Sequence, residues 1–238
     1  MMNQKSFFEL LFEFVARDWE RILFLTYQHV YISLIALGLT LLVCLPTGIY
    51  LTRRPRIATY VIGMANVFQT IPSLALLGFL IFVFGIGNDN AIAALFLYAL
   101  LPVLQNTYTG IKNVSPRVVQ AARGMGMTDF QITAQVELPL AMPVIISGIR
   151  VAAVWIIGTA ALAAAIGGGG LGRLIFSGLA TIRNEVIVAG AVPATILALV
   201  ADQGLKMLQA YLEPENRAAR IARKEQRLLA KSGVAESG

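Results

Sequence analysis

The chain has 238 residues, 57% of them hydrophobic and 13% charged. A soluble domain carries about 25% charge, so this chain has too few charges to clothe a globule of its size in water, and lipid is its expected solvent. A single cysteine, Cys44, excludes an intramolecular disulfide and a multi-cysteine metal centre, and a single histidine, His29, excludes a histidine-rich metal or proton-relay site. The net charge of +6 does not point to nucleic acid, because the basic residues gather at the ends of apolar runs and in the tail. That placement suits anionic headgroups and membrane orientation.

The expected architecture is an all-α membrane protein in three parts. Residues 1–28 form an N-terminal amphipathic or interfacial helix, 29–210 a membrane domain, and 211–238 a basic, partly disordered tail. In the first part Phe8, Leu11, Phe12, Val15, Trp19, Ile22 and Leu23 recur at helical spacing. Acidic residues punctuate this segment, which favours a helix lying along the interface over a sixth, poorly apolar span. Five stretches then have the roughly 20 apolar residues that cross a bilayer core: about 30–52, 57–85, 90–109, 140–165 and 186–209. The second is too long for one straight span. Pro72 splits it into a bent helix, or into a span and a re-entrant turn, and Gln69 and Thr70 stand ready for the backbone groups that proline frees.

Arg53, Arg54 and Arg56 follow the first span; Lys112, Arg117 and Arg123 follow the third; Lys206 and the basic tail follow the fifth. They outnumber Lys5, Arg17, Arg21, Arg173 and Arg183 on the other side. The positive-inside rule then puts the N-terminus outside and the C-terminus in the cytoplasm.

Residues 113–139 form a polar island on the predicted cytoplasmic side. Ser115 and Pro116 predict a helix start, as N-cap and first helical residue. That helix is expected to run to about Arg123, where Gly124 and Gly126 permit a tight turn. Thr128 to Gln131 has the pattern of a capping box, so a second helix begins at once and runs toward Glu137, with Pro139 marking the border of the fourth span. Val118, Val119, Met125, Met127 and Phe130 are apolar side chains for a partner's groove. Local chemistry alone leaves an amphipathic loop resting on headgroups as an equal alternative.

The island carries Gln120-Ala121-Ala122, three residues, Gly126, nine residues, Val136, one residue, Leu138-Pro139. This resembles the EAA loop of ATP-binding-cassette importer permeases, with the same spacing throughout and with Gln120 in place of the usual glutamate. Residues 66–78, 97–102, 106–111 and 122–127 resemble the osmoprotectant branch of that family, and the resemblance covers about residues 25–210. It implies the type I importer permease fold and a coupling role for Gln120, Ala121, Ala122, Gly124, Gly126, Leu138 and Pro139. It also implies ATPase subunits that dock on the loop and a second permease subunit, identical or homologous. An extracytoplasmic binding protein is to deliver glycine betaine, carnitine or choline, and the location is the bacterial cytoplasmic membrane. No cofactor is expected in this chain, ATP and Mg being bound by the ATPase, and no chemistry is expected of it.

Other positions have two readings each. Asn66, Gln69, Thr70, Ser73, Tyr98, Gln105, Asn106 and Thr107 line a hydrophilic path or make interhelical hydrogen bonds. Arg150 lies about ten residues into the fourth span, roughly 15 Å along a helix. It is expected to pair with Asp202 as a structural or gating contact, or to snorkel toward the inner surface. The small residues Ala152, Ala153, Gly158, Ala160, Ala161 and Ala164 suit close helix packing, a dimer interface included. Gly167 to Gly172 contains a G-x-G-x-x-G, but it follows an apolar helix where a nucleotide site needs a strand. These glycines are expected to end the fourth span and to open a flexible outer loop near 166–185, either a plain connector or, as the resemblance implies, part of the outer gate or of the docking surface for a binding protein. The rival functions are an ion-coupled secondary transporter and a membrane scaffold. The first needs an acid at mid-span, and Asp89 and Asp202 lie in a loop and near an edge.

Overall fold

The structure is a computed structural model that describes residues 6–212, all in helices and the turns between them. The tail expectations for residues beyond 212 lie outside the described residues. Helix α1 spans Phe7–Thr52, 46 residues with a local departure from helical geometry at Asp18. The kink that parts it into two helices lies there, at Asp18, and beyond it the helix passes residue 28 without a break. The reason is local: residues 7–37 contain neither proline nor glycine. Phe14 and Leu25 are buried against Leu171, Leu174, Val186 and Ala189, while Phe8, Phe12 and Trp19 face outward.

Helices α2 (Pro55–Thr70) and α3 (Ser73–Phe84) are bent by 105° across Ile71 and Pro72. Proline lacks the N–H that would continue the ladder, and the residue before it is held extended. Ile71 indeed has φ −69° and ψ 130°. Helix α4 (Asn88–Lys112) runs through the middle of the bundle. Its Ala91, Leu95, Ala99 and Val103 share a core with Ile32, Ala36 and Cys44 of α1 and with Ala152, Ile156 and Ala160 of the fourth span. The small residues of that span therefore serve in part to bring helices of this same chain together.

The island forms α5 (Pro116–Gly124) and α6 (Asp129–Ile132). A π-helical turn, Thr133–Glu137, joins α6 to α7 (Leu138–Ala160), which tightens to a 3-10 turn at Ala161–Ile166. Pro139 stands in the first turn of α7, where the fourth span is entered as expected, but the helix is not interrupted there: Asp129–Ile166 is one helical stretch of 38 residues. The wider turn explains why the chain tolerates a proline there. The Leu138 N–H bonds back to the Thr133 carbonyl, five residues earlier, and the register shift eases the fit of the proline ring.

Residues 166–185 are not the flexible loop expected from their glycines. They contain α8 (Gly172–Thr181), and Leu171 and Leu174 are fully buried. The glycines serve close approach here: a Cβ on Gly172 would stand 1.8 Å from the Ala161 carbonyl oxygen. Helix α9 (Asn184–Leu212) closes the bundle. Among the described residues four helical stretches are long and apolar enough to cross a membrane, five if the bent α2–α3 pair counts as one span. That agrees with the expected five.

Candidate functional site

The island is built by its own local rules. Ser115 precedes Pro116 at the start of α5, as expected. The helix ends in a Schellman turn, in which the Met127 N–H reaches the Ala122 carbonyl at 3.3 Å and the Gly126 N–H the Arg123 carbonyl at 3.0 Å. Gly126 has φ +82°, the left-handed conformation that such a turn requires and that a Cβ disfavours. Gly124 is the last helical residue and supplies no positive φ. The predicted capping box is present: the Thr128 N–H donates to Gln131 Oε1 at 2.8 Å, and the Gln131 N–H to Thr128 Oγ1 at 3.3 Å. Arg123 and Asp129 pair at 2.8 Å across the turn, an exposed contact that adds little to the turn's backbone and capping bonds.

The loop residues divide by exposure. Gln120, Ala121, Gly124, Gly126 and Pro139 are exposed, Leu138 is half-buried, and Ala122 is buried. Ala122 is therefore a packing residue of the loop itself. Met125 and Phe130 stand 75% and 81% exposed, with Val118 beside them, an apolar tip suited to a groove.

One feature of this end was not singled out from the sequence. Glu137 is the carboxylate at the base of the island, its side chain 5% exposed. It accepts from Arg53 Nη2 at 2.6 Å and from Thr133 Oγ1 at 3.1 Å, and Arg53 Nη2 also donates to Thr133 Oγ1 at 2.8 Å. A charge-assisted triangle thus ties the stem of the island to the corner between α1 and α2. The signal in the sequence was an acid directly before a membrane run, and an arginine that served only to orient the chain.

The candidate path residues separate into two groups. Asn66 lies with Thr59, Gly63, Gln105 and Tyr108 around a cavity of about 460 Å³ between α2 and α4. Tyr108 was not among the candidates; its signal is its place one helical turn beyond Gln105 on the same face. Several of the others satisfy backbone groups of the bundle. The Tyr98 hydroxyl is buried and donates to the Ile71 carbonyl at the α2–α3 bend. Asn106 Nδ2 donates to the Pro102 carbonyl at 2.8 Å, Thr70 Oγ1 to the Val67 carbonyl at 2.8 Å, and Thr107 Oγ1 to the Val103 carbonyl at 2.7 Å. Gln69 and Ser73 are half-buried, Ser73 in a narrow crevice beside Leu77 and Tyr98. Arg150 meets Asp202 through two guanidinium nitrogens, the Nη2–Oδ2 contact being 3.2 Å, and so bridges α7 and α9.

At the opposite end the glycine run is held by side chains. Asn88 Oδ1 accepts from the Gly169 N–H at 2.7 Å and Gln28 Oε1 from the Gly170 N–H at 3.3 Å. Arg173 donates to the Gly168 carbonyl at 3.0 Å. Peptide groups of this run are thus engaged by side chains of α1, α4 and α8.

Residues 44–218 match the family described as binding-protein-dependent transport system inner membrane component. The carnitine transport permease protein OpuCB of Listeria monocytogenes is 48% identical over 85% of this chain and 93% of its own length. The choline transport system permease protein OpuBB of Bacillus subtilis has the same identity and coverage. The osmoprotectant import permease protein OsmW of Salmonella typhimurium is 42% identical over 80% of this chain and 91% of its own. Among solved structures, an amino acid ABC transporter chain superposes with a TM-score of 0.70 at 17% identity, covering 87% of this chain and 99% of that one. An inward-facing MetNI methionine transporter chain gives 0.67 at 22%, covering 78% and 95%. Five apolar spans, an EAA-type island at one end and these likenesses converge, and the chain belongs to the binding-protein-dependent transport system inner membrane components, the multi-pass permeases of ATP-binding-cassette importers.

Proposed function

We propose that this chain is the permease subunit of an importer for osmoprotectants of the glycine betaine, carnitine and choline class, and that residues 113–139 couple it to ATP hydrolysis by a separate ATPase. The observation that carries the coupling reading is mechanical. Helix α6 continues through the π turn into the fourth span as one 38-residue stretch, so force on the island acts directly on the bundle. The substrate class rests on the relatives, which are named for carnitine, choline and osmoprotectant transport.

In this reading two permease subunits, identical or homologous, form the pathway, and two ATPases hold ATP and Mg and grip the loops. The grip must differ in strength between inward- and outward-open states, because only a differential contact shifts an equilibrium. Gln120, Ala121, Met125 and Phe130 form the docking face, and Gly126 shapes it. Asn66, Gln105 and Tyr108 offer neutral polar groups to a passing zwitterion or cation without a trapping charge. Arg150 is matched to Asp202 and serves the bundle, since a free guanidinium would repel a quaternary ammonium. The basic residues at the island's end support a cytoplasmic location for it in this reading, with the N-terminus outside and the C-terminus inside. A binding protein delivers the solute from outside.

The test is reconstitution of the permease with its ATPase in lipid, measuring ATP hydrolysis with and without the binding protein and glycine betaine. Stimulation that is lost on replacing Ala121 by a bulky residue supports the reading. Failure of the wild-type permease to associate with any ATPase overturns it.

A further inference from the structure

We propose that the hollow beneath the island receives an acidic side chain of the ATPase, an inference that rests on the docking function above and specifies its chemistry. The hollow, about 280 Å³, lies between α5 and the ends of α1 and α4; Arg53, Lys112, Gln120, Arg123 and Glu137 supply its polar lining. Three cations there face one carboxylate. That carboxylate is committed: Glu137 is buried and held by Arg53 and Thr133. Lys112 makes no ion pair among the described residues. The Arg123–Asp129 pair has both partners largely exposed, 65% and 78%, so it is weak and exchangeable. Gln120 brings hydrogen-bonding groups to the wall and no charge. Apolar walls from Ile111, Val114 and Val119 lower the local dielectric and focus the surplus positive potential on the opening.

The occupant is argued from charge and from place. A positive hollow calls for an anion, and this one is roofed by α5, the helix that carries Gln120 and Ala121 into the docking face. Gln120 belongs both to the docking face and to the wall of the hollow, so a protein seated on that face meets the hollow and fills it with a glutamate or an aspartate. An anionic lipid headgroup offers the same charge and is the competing occupant that the experiment separates.

The full-length permease is placed in nanodiscs of neutral phosphatidylcholine, and binding of its cognate ATPase is measured between 50 and 500 mM KCl, concentrations on the order of those that screen surface charge strongly. The expected result is wild-type binding that weakens with salt. Lys112→Gln and Gln120→Glu should each weaken binding about fivefold at low salt and flatten its salt dependence. Gln120→Ala, which removes the amide without adding charge, should keep the wild-type salt slope, and circular dichroism and size-exclusion profiles should be unchanged in all three. Wild-type binding with no loss in Lys112→Gln and Gln120→Glu overturns this inference and leaves the docking function standing. A charge effect that appears only when phosphatidylglycerol is added overturns it in favour of a headgroup. No binding by the wild type overturns the docking function and this inference together.

Discussion

Gly126 at the island and Gly172 at the other end of the bundle use the absence of a Cβ for opposite purposes. At the island, Gly126 has open space around it and a left-handed backbone, φ +82°. At the other end, Gly172 has ordinary helical geometry and no room at all: a Cβ would lie 1.8 Å from the Ala161 oxygen. The island is a shaped surface, held by its own short-range bonds and by the ion pair of Glu137 with Arg53. The glycine-rich end is a packed interior, where backbone meets backbone and the side chains of Asn88, Gln28 and Arg173 satisfy peptide groups. A residue type that the sequence presents as a flexible hinge at both ends is a conformational need at Gly126, as it is at Gly167 and Gly170, and a volume limit at Gly172.

Substitutions sharpen this contrast. The largest effect is expected for Gly172→Ala, because backbone atoms of the 3-10 turn cannot move aside cheaply. Overpacking typically costs about 1–3 kcal/mol and occasionally more, and this contact belongs at the upper end. Size-exclusion in detergent and thermal unfolding should report loss of the folded monodisperse protein, and a wild-type melting curve would sink the packing account. Next is Glu137→Gln, which removes a charged acceptor from Arg53 and Thr133. Bonds to charged groups contribute about 1.5–3 kcal/mol, and the half-exposed Arg53 argues for the lower figure. A double-mutant cycle with Arg53→Gln should give a coupling of about 1 kcal/mol, and strict additivity would show that the two groups do not act as a pair.

Tyr98→Phe deletes the hydroxyl that satisfies the Ile71 carbonyl at the α2–α3 bend. A loss of about 0.5–1.5 kcal/mol is expected, with transport of the solute retained. Transport lost at unchanged stability would instead assign Tyr98 to the pathway. The smallest stability effect among these is expected for Gly126→Ala. Nothing surrounds the added methyl, so the cost is the positive φ alone, about 1 kcal/mol. Its effect on function should be larger than that figure implies, because the turn sets the angle between α5 and α6. ATPase stimulation by the binding protein should fall while the melting temperature barely moves; full stimulation would remove Gly126 from the coupling surface.

Much of this was legible because it depends on neighbours in the chain. Pro72 ends a helix because it lacks the N–H for the ladder and holds Ile71 extended, although Pro46, Pro102, Pro143 and Pro193 stand inside helices, and Thr128 with Gln131 caps one. Lys and Arg at the ends of apolar runs mark the limits of spans. The Arg150–Asp202 contact was also foreseeable, since an arginine within a span needs a partner and few acids were available. The continuity of α1 is equally local in origin, yet punctuation by acidic residues suggested a separate element. The helix kinks at one of these acids, Asp18, and runs on without a break past residue 28 into the first span.

What the sequence by itself determined is a membrane chain of five apolar spans with an EAA-type island, because lipid forces every backbone group into a helix and leaves hydropathy to set the spans. What only the tertiary structure decided is the partner of each polar group and the room around each glycine. Glu137 found Arg53 across 84 positions, and Tyr98 turned to a carbonyl freed by Pro72. The run after residue 166 became a packed helix under Ala161. These outcomes depend on which helices lie side by side, a relation that periodicity along one segment does not encode.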